Sequence, residues 1–238
     1  MCFSYSLKSQ KPTQLPLDFS PVMIPEPGFF LSGFHHPQLP IQHAKGAEMA
    51  QWGLIPSWVK SQSKAQELQK LSLNARWETA HEKPMFRQAW NQNPCLILAS
   101  GFFEWQTQGK AKIPHFIYPS DADFFLFGGI FDDFVDPETG ELIRTYSILT
   151  TEANEMMSHI HNVKKRMPVI IDLKNADAWL NGRAEHRKSL CLPVPSEKLH
   201  AYEVSKELNS VKVDRNQAWA IEPTQNKHNN LVLSLQLK

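Results

Sequence analysis

An amide, a guanidinium and a carboxylate mark the two ends of one stretch of this chain, Asn74 to Trp105. Asn74-Ala-Arg76 opens it and Gly101-Phe-Phe-Glu104-Trp105 closes it. An extended tripeptide would point Asn74 and Arg76 the same way. Glu104 sits among large aromatics, and desolvation there would raise its pKa and suit it to moving a proton; alone, it reads as a surface carboxylate at a strand end. His161, at the end of a short helix, is a second acid or base, or else a capping or core histidine. Cys2 stands directly behind Met1. A lone cysteine is usually a small hydrophobe, but cysteine is small enough for a preceding initiator methionine to be removed. That would leave a 1,2-aminothiol, with an amine of pKa about 8 beside a thiol of about 8.5. With an aldehyde the amine forms an imine and the thiol closes a five-membered thiazolidine. No internal cysteine can do this.

Lys164, Lys165 and Arg166 form a basic run that is either a solvated loop or an anion site. With Arg76 and Arg87, and with Trp52, Trp58 and Trp77 as stacking planes, it suits a single-stranded nucleic acid. The formal charge of +1 supplies no global field, so anion binding must come from such local clustering. A zinc reading of His35-His36 or of His159-x-His161 lacks a second ligand pair at metal spacing, and no metal or other cofactor is expected. No Walker loop, G-x-G-x-x-G or G-x-S-x-G is present, which removes support for nucleotide and serine-hydrolase chemistry. The 238 residues are 42% hydrophobic and 21% charged, ordinary for a globular chain with a real core. Cys2, Cys95 and Cys191 make no C-x-x-C pair and no even framework, so a reducing cytoplasm is expected. The sequence shows no signal-peptide pattern and no apolar run of membrane-spanning length, and no membrane partner is expected.

The elements that must position these groups are short. Lys83 to Gln92 has helical spacing, with Phe86, Ala89 and Trp90 on one face, and Cys95 to Ala99 reads as a buried strand. A helix followed by a strand brings Asn74 and Glu104 together across a turn. Residues 11–40 are proline-rich and expected to be irregular. Gln51 to Trp58 reads as a strand end, a proline turn and an exposed aromatic, and Ser61 to Leu71 as a solvated helix or loop. Lys110 to Tyr118 reads as a hairpin return, Phe124 to Phe131 as a buried strand, Asp132 to Gly140 as an acidic turn, and Arg144 to Thr150 as a strand. Thr151 is the expected N-cap of a helix carrying Met156, Met157 and Ile160. A strand over Met167 to Ile171, a helix from Asp172 to Asn181-Gly182, and an irregular strand region over Val204 to Pro223 complete the domain. With no repeat and no linker, residues 1–223 read as one domain and 224–238 as a tail.

Taken together and in order, these pieces resemble the SRAP family, the SOS-response-associated peptidases or abasic-site processing proteins. The resemblance rests on Met1-Cys2, Trp52-Gly-Leu-Ile-Pro-Ser-Trp58, Asn74-Ala-Arg-Trp-Glu-Thr79, Lys83-Pro-x-Phe86 and Cys95-Leu-Ile to Gly101-Phe-Phe-Glu-Trp105. Ile148-Leu-Thr-Thr-Glu-Ala-Asn154, Ile160-His161 through Arg166-Met-Pro-Val-Ile170, and Ile221-Glu-Pro223 extend it. It implies an α+β fold, a single domain built on a twisted, barrel-like, mostly antiparallel sheet with short flanking helices and a positively charged groove. It implies covalent capture of abasic sites in single-stranded DNA, a lyase-type crosslinking activity, by a monomer. Carried over by residue, Cys2 forms the thiazolidine, Asn74 orients the N-terminus, Glu104 opens and closes the sugar ring, and His161 assists proton transfer and release. Arg76 holds a phosphate and Trp58 supports the kinked strand, while the peptidase label refers to removal of Met1. The family often reads Cys-Gly-Arg where this chain has Cys2-Phe3-Ser4. Many members are also shorter between the histidine and Arg-Met-Pro, so Lys164 and Lys165, beside Arg166, are expected to replace the lost positive charge. Two other classes are carried beside this one: a self-processing thiol peptidase with Cys2 as nucleophile and His161 or Glu104 as base, and a non-catalytic nucleic-acid-binding module.

Overall fold

Cys95 to Ala99 and Phe125 to Ile130 are buried at every position because both runs lie in the wall of a closed ring of strands. The structure is a computed structural model that describes residues 2–8 and 28–224. Strand β1 (Ser4–Leu7) pairs antiparallel with β2 (Gly28–Ser32), and a hairpin of β3 (Gln38–His43) and β4 (Gly46–Trp52) follows. Helix α1 (Gln62–Leu71) begins at Ser61, whose Oγ accepts from Lys64 N at 3.2 Å. Strand β5 (Asn74–Arg76) runs straight into α2 (Trp77–Ala80), and α3 (Arg87–Gln92) precedes β6 (Pro94–Ala99). Strands β7 (Gly101–Gln108) and β8 (Ala111–Pro119) form one antiparallel pair, and β9 (Phe125–Val135) and β10 (Leu142–Glu152) another. The remainder is α4 (Glu155–Ile160), β11 (Arg166–Pro168), α5 (Ala176–Asn181), α6 (Ala184–Ser189) and β12 (Leu199–Glu203). Among the described residues no helix is long and apolar enough to cross a membrane.

The ring runs β3–β4–β10–β9–β6 and returns to β3. Every pairing in it is antiparallel except β4 with β10. Five strands leave little interior room, and adjacent glycines of β9 give up their side chains on both faces. A Cβ on Gly128 would lie 2.8 Å from the Trp179 ring of α5, and one on Gly129 would lie 2.3 Å from Ile97 Cδ1. Trp179 Nε1 also donates to Cys95 O at 2.9 Å, fastening α5 to the barrel wall. A second sheet, in the order β12–β8–β7–β1–β2, has its own core of Phe30, Phe103, Phe116, Val204 and Leu208. The fold is therefore α+β, one domain on a twisted, barrel-like, mostly antiparallel sheet with short helices around it.

Several local expectations change. Residues 28–32 and 38–43 form strands within the proline-rich stretch, and residues 9–27 lie outside the described part. The helix expected over Lys83 to Gln92 starts only at Arg87, because residues 83–86 close a tighter turn, with Phe86 N donating to Lys83 O at 2.9 Å and Phe86 at a non-helical φ of −120°. Strand β9 continues through Asp132 and Asp133, and the acidic turn is confined to Asp136–Gly140, where Asp136 Oδ1 accepts from Glu138 N at 2.8 Å. Asn154, not Thr151, caps α4, accepting from Met157 N at 2.8 Å, since the β10–β11 ladder holds Thr151 in a strand. After β12 the chain makes 3-10 turns and a single bridge, Val204 to Pro223, in place of a strand region. Of the tail expected over 224–238, residues 225–238 lie outside the described part.

Gly129→Ala places a methyl group into the filled barrel interior against Ile97 and Cys95. It is expected to cost about 1–3 kcal/mol, read as a lower urea midpoint with an unchanged slope. An unchanged midpoint would show that the ring has slack at this position.

Candidate functional site

The ladder between β1 and β7 builds the centre of the site. Tyr5 pairs with Phe102 and Ser6 with Gly101, and the residues just ahead of this ladder bring Cys2 close enough to Glu104 for its charge to act on the thiol. From the other side Asn74 Nδ2 donates to the Cys2 carbonyl oxygen at 2.9 Å. Asn74 and Arg76 are two apart on β5, whose parallel pairing with β10 sets Asn74 at Ile148 and Arg76 at Thr150. The extended tripeptide is thus real, with Asn74 half-buried and Arg76 exposed on the same face.

Glu104 is 4% exposed, and burial raises its carboxyl to about 7. The flanking aromatics are not the direct cause. Strand alternation sends Phe103 and Trp105 to the opposite face, into the second core, while Glu104 shares its face with Phe102 and Gln106. His161 Nε2 stands 3.7 Å from Glu104 Oε2. His161 Nδ1 lies 2.8 Å from the Arg166 carbonyl, which can only accept, so Nδ1 carries the hydrogen and Nε2 presents its lone pair to Glu104. Burial lowers His161 to about 4, keeping the ring neutral near pH 7. A carboxyl half-protonated near neutrality therefore stands 3.7 Å from the imidazole Nε2, an arrangement that can pass one proton either way as the two close up. The Cys2 thiol is buried, 3.6 Å from Ser4 O; burial and then the Glu104 charge hold it well above the ordinary thiol range.

Residues outside the expected set hold His161 in place. Asn162 reads the backbone of β7 twice, accepting from Thr107 N at 3.1 Å and donating to Thr107 O at 2.9 Å. Gln106 Nε2 donates to His159 O at 3.3 Å. The loop from His161 to Lys165 is thereby clipped over the strand that carries Glu104. Lys164 and Lys165 are exposed on that loop, Lys165 with φ of 48°. Arg166 is not exposed beside them. It is buried, with Nη1 and Nη2 donating to Glu78 at 2.6 and 2.8 Å and Nη2 also to Thr150 O at 2.6 Å. Burial pushes the Glu78 carboxyl up, but the Arg166 hydrogen bonds outweigh it and hold Glu78 below the usual carboxylate range. Arg166, expected with the lysines to face a phosphate, instead ties α2 to β10. Trp58 is 47% exposed on a turn fixed to the barrel, with Ser57 N donating to Asp132 Oδ2 at 3.0 Å and Ile55 N to Thr145 Oγ1 at 2.8 Å.

With this geometry in hand, the comparisons define the class. The family model described as SOS response associated peptidase (SRAP) matches residues 16–211. The chain belongs to the SRAP family. It is similar to the abasic site processing protein YoqW of Bacillus subtilis (strain 168), with 38% identity over 165 residues, 68% of this chain and 70% of that protein. It is 34% identical to the abasic site processing protein HMCES of Gallus gallus over 184 residues, 68% of this chain and 54% of that protein. Among solved structures, a Bacteroides thetaiotaomicron protein superposes with a TM-score of 0.84 at 32% identity, covering 93% of this chain and 99% of that one.

The opposed shifts of Glu104 and His161 make a stability prediction. Glu104 holds its proton more tightly folded, at about 7 against 4.5, so its contribution is full below 4.5 and is lost as pH rises to about 7. His161 runs the other way, at about 4 against 6.5, so its contribution is full above 6.5 and is lost as pH falls to about 4. Between 4.5 and 6.5 the two slopes offset each other. Relative to wild type, Glu104→Gln is expected to lose stability as pH falls through that window, and His161→Gln as pH rises through it. Urea midpoints at four pH values from 4.5 to 7.5 measure this; parallel profiles for the two variants contradict the assigned shifts.

Proposed function

We propose that this protein processes abasic sites in single-stranded DNA, capturing the ring-opened sugar aldehyde on Cys2 once Met1 has been removed. The carrying observation is the convergence at Cys2: Asn74 holds its carbonyl at 2.9 Å, while its thiol lies within the field of Glu104, which stands 3.7 Å from His161. The names of the relatives support the same reading. In the proposed sequence the Cys2 amine attacks the aldehyde carbon, water leaves to give the imine, and the thiol adds to the imine carbon. Glu104 supplies a proton at the sugar ring oxygen to favour the open aldehyde and takes one back on closure. His161 Nε2 relays protons with Glu104 and assists release. Arg76, Lys164 and Lys165 are assigned to backbone phosphates and Trp58 to the kinked strand. The assignment uses residues of one chain, so a monomer suffices.

A thiol peptidase is the weaker reading. Its nucleophile would be a thiolate, and burial together with Glu104 holds the Cys2 thiol protonated. Thiazolidine closure starts instead from the amine. The family's peptidase description is assigned here to the removal of Met1.

Two experiments test the proposal. In single-turnover crosslinking to an abasic single strand, read on a denaturing gel and by intact mass, Cys2→Ser is expected to give no thiazolidine. Glu104→Gln, which cannot ionise, is expected to slow capture about 10²–10⁴-fold while strand affinity stays within about twofold. A wild-type capture rate in Glu104→Gln overturns its role, and a normal thiazolidine yield from Cys2→Ser overturns the mechanism. Separately, the salt dependence of strand binding should fall in Lys164→Ala/Lys165→Ala by about 0.7 in log–log slope per phosphate contact removed. An unchanged slope removes both lysines from the phosphate path.

A further inference from the structure

Beside Cys2 stands an aromatic pair that the site described so far does not use. Phe34 is 63% exposed, and its ring centroid lies 5.1 Å from that of half-buried Phe3 at an interplanar angle of 36°. The pair is not on a loose loop. Gly33 N donates to Phe3 O at 2.9 Å, and Ser4 pairs with Ser32 in the β1–β2 ladder. The 3-10 turn Gly33–His35 is closed by His36 in left-handed geometry, and His36 Nδ1–H donates to Trp52 O at 2.8 Å. A Cβ on Gly33 would lie 3.1 Å from the Trp52 ring and 3.2 Å from Leu73 Cδ1, so the turn is pressed against the barrel. The ledge is thus continuous with the site on two sides, since Phe3 follows Cys2 in the chain and Leu73 precedes Asn74. Adjacent Cα atoms are about 3.8 Å apart, so the Phe3 backbone is one step from the capturing residue.

We propose that Phe3 and Phe34 form a stacking subsite for the nucleobase next to the abasic residue. This rests on the function proposed above and adds to it a reason for recognising the lesion rather than any single strand. A missing base leaves each neighbouring base with one face that has lost its stacking partner. A fixed, solvent-facing π-surface beside Cys2 replaces that partner as the aldehyde reaches the amine, and stacking of this kind tolerates any base because every base has a π-face. The exposed cations Arg76, Lys164 and Lys165 make a nucleic-acid strand, rather than a purely apolar partner, the occupant of this ledge.

The test uses single strands carrying a tetrahydrofuran abasic analogue, which has no aldehyde and so reports binding without capture. One strand has purines on both sides of the analogue, and the other replaces those two purines with further analogues. Affinities are measured by fluorescence anisotropy for wild type, Phe34→Ala and Phe34→Trp, with unfolding midpoints confirming that each is folded. Wild type is expected to prefer the purine-flanked strand about tenfold, on the scale of one stacked base. Phe34→Ala is expected to lose that preference by weakening on the flanked strand alone, and Phe34→Trp to keep it. An equal preference in wild type and Phe34→Ala overturns the subsite while leaving capture standing, provided wild type still crosslinks a natural abasic strand. Failure of wild type to bind or crosslink either kind of strand overturns the function and the subsite together.

Discussion

Strand β10 is the constraint on which the rest depends, because it changes partners on both edges along its length. Its first part closes the barrel, pairing Leu142–Ile148 with β9 and Thr145–Tyr146 with β4. Its last part leaves the ring and takes β5 on one edge, at Ile148–Thr150, and β11 on the other, at Thr150–Glu152. Those two short strands carry Asn74 and Arg76, and the return from His161. Three-residue strands have little stability of their own, so the pieces that build the site borrow their order from the barrel. Arg166 fastens the junction. Its buried guanidinium bonds Thr150 O of β10 and both carboxylate oxygens of Glu78 on α2.

The electrostatics of the site follow first from burial. A carboxylate bonded by a guanidinium, as Glu78 is, drops in pKa and stays charged. Glu104 and His161, 3.7 Å apart and both buried, are each pushed toward the neutral form. The protein thus keeps two kinds of carboxylate a short distance apart in the chain, one locked as a structural anion and one free to exchange a proton. Thr150 and the Arg166 carbonyl connect them, the carbonyl fixing the His161 tautomer while the side chain neutralises Glu78.

The candidate residues were legible in the sequence because a cysteine behind the initiator methionine, Asn-Ala-Arg, Phe-Phe-Glu-Trp and a helix-end histidine fall into one ordered pattern. Cys2, Asn74, Glu104 and His161 stood out on that basis, and the buried strands were visible in continuous apolar runs. What the sequence hid was long-range pairing. Arg166 looks like the third member of a basic run until Glu78, 88 residues away, claims its side chain. Thr151 and Asn154 are both good caps, and only the β10–β11 ladder decides that Thr151 belongs to a strand. Phe103 and Trp105 do surround Glu104 in sequence, yet the period of two turns them to the other core. Asn162 carried a weak signal, a turn residue next to His161. Its partner is the Thr107 backbone, 55 residues back, and no spacing rule points there.

The β1–β7 pairing also sets an order of events. Tyr5 and Ser6 find their strand partners at Phe102 and Gly101, nearly a hundred residues later. On a ribosome adding about 5–20 residues per second, the segment that will bury Cys2 is absent for on the order of ten seconds. The finished fold seals Cys2 at 0% exposure. The second sheet can therefore be completed only after β7 has been made, so the strand that follows Cys2 is among the last to find its place although it is the first synthesised.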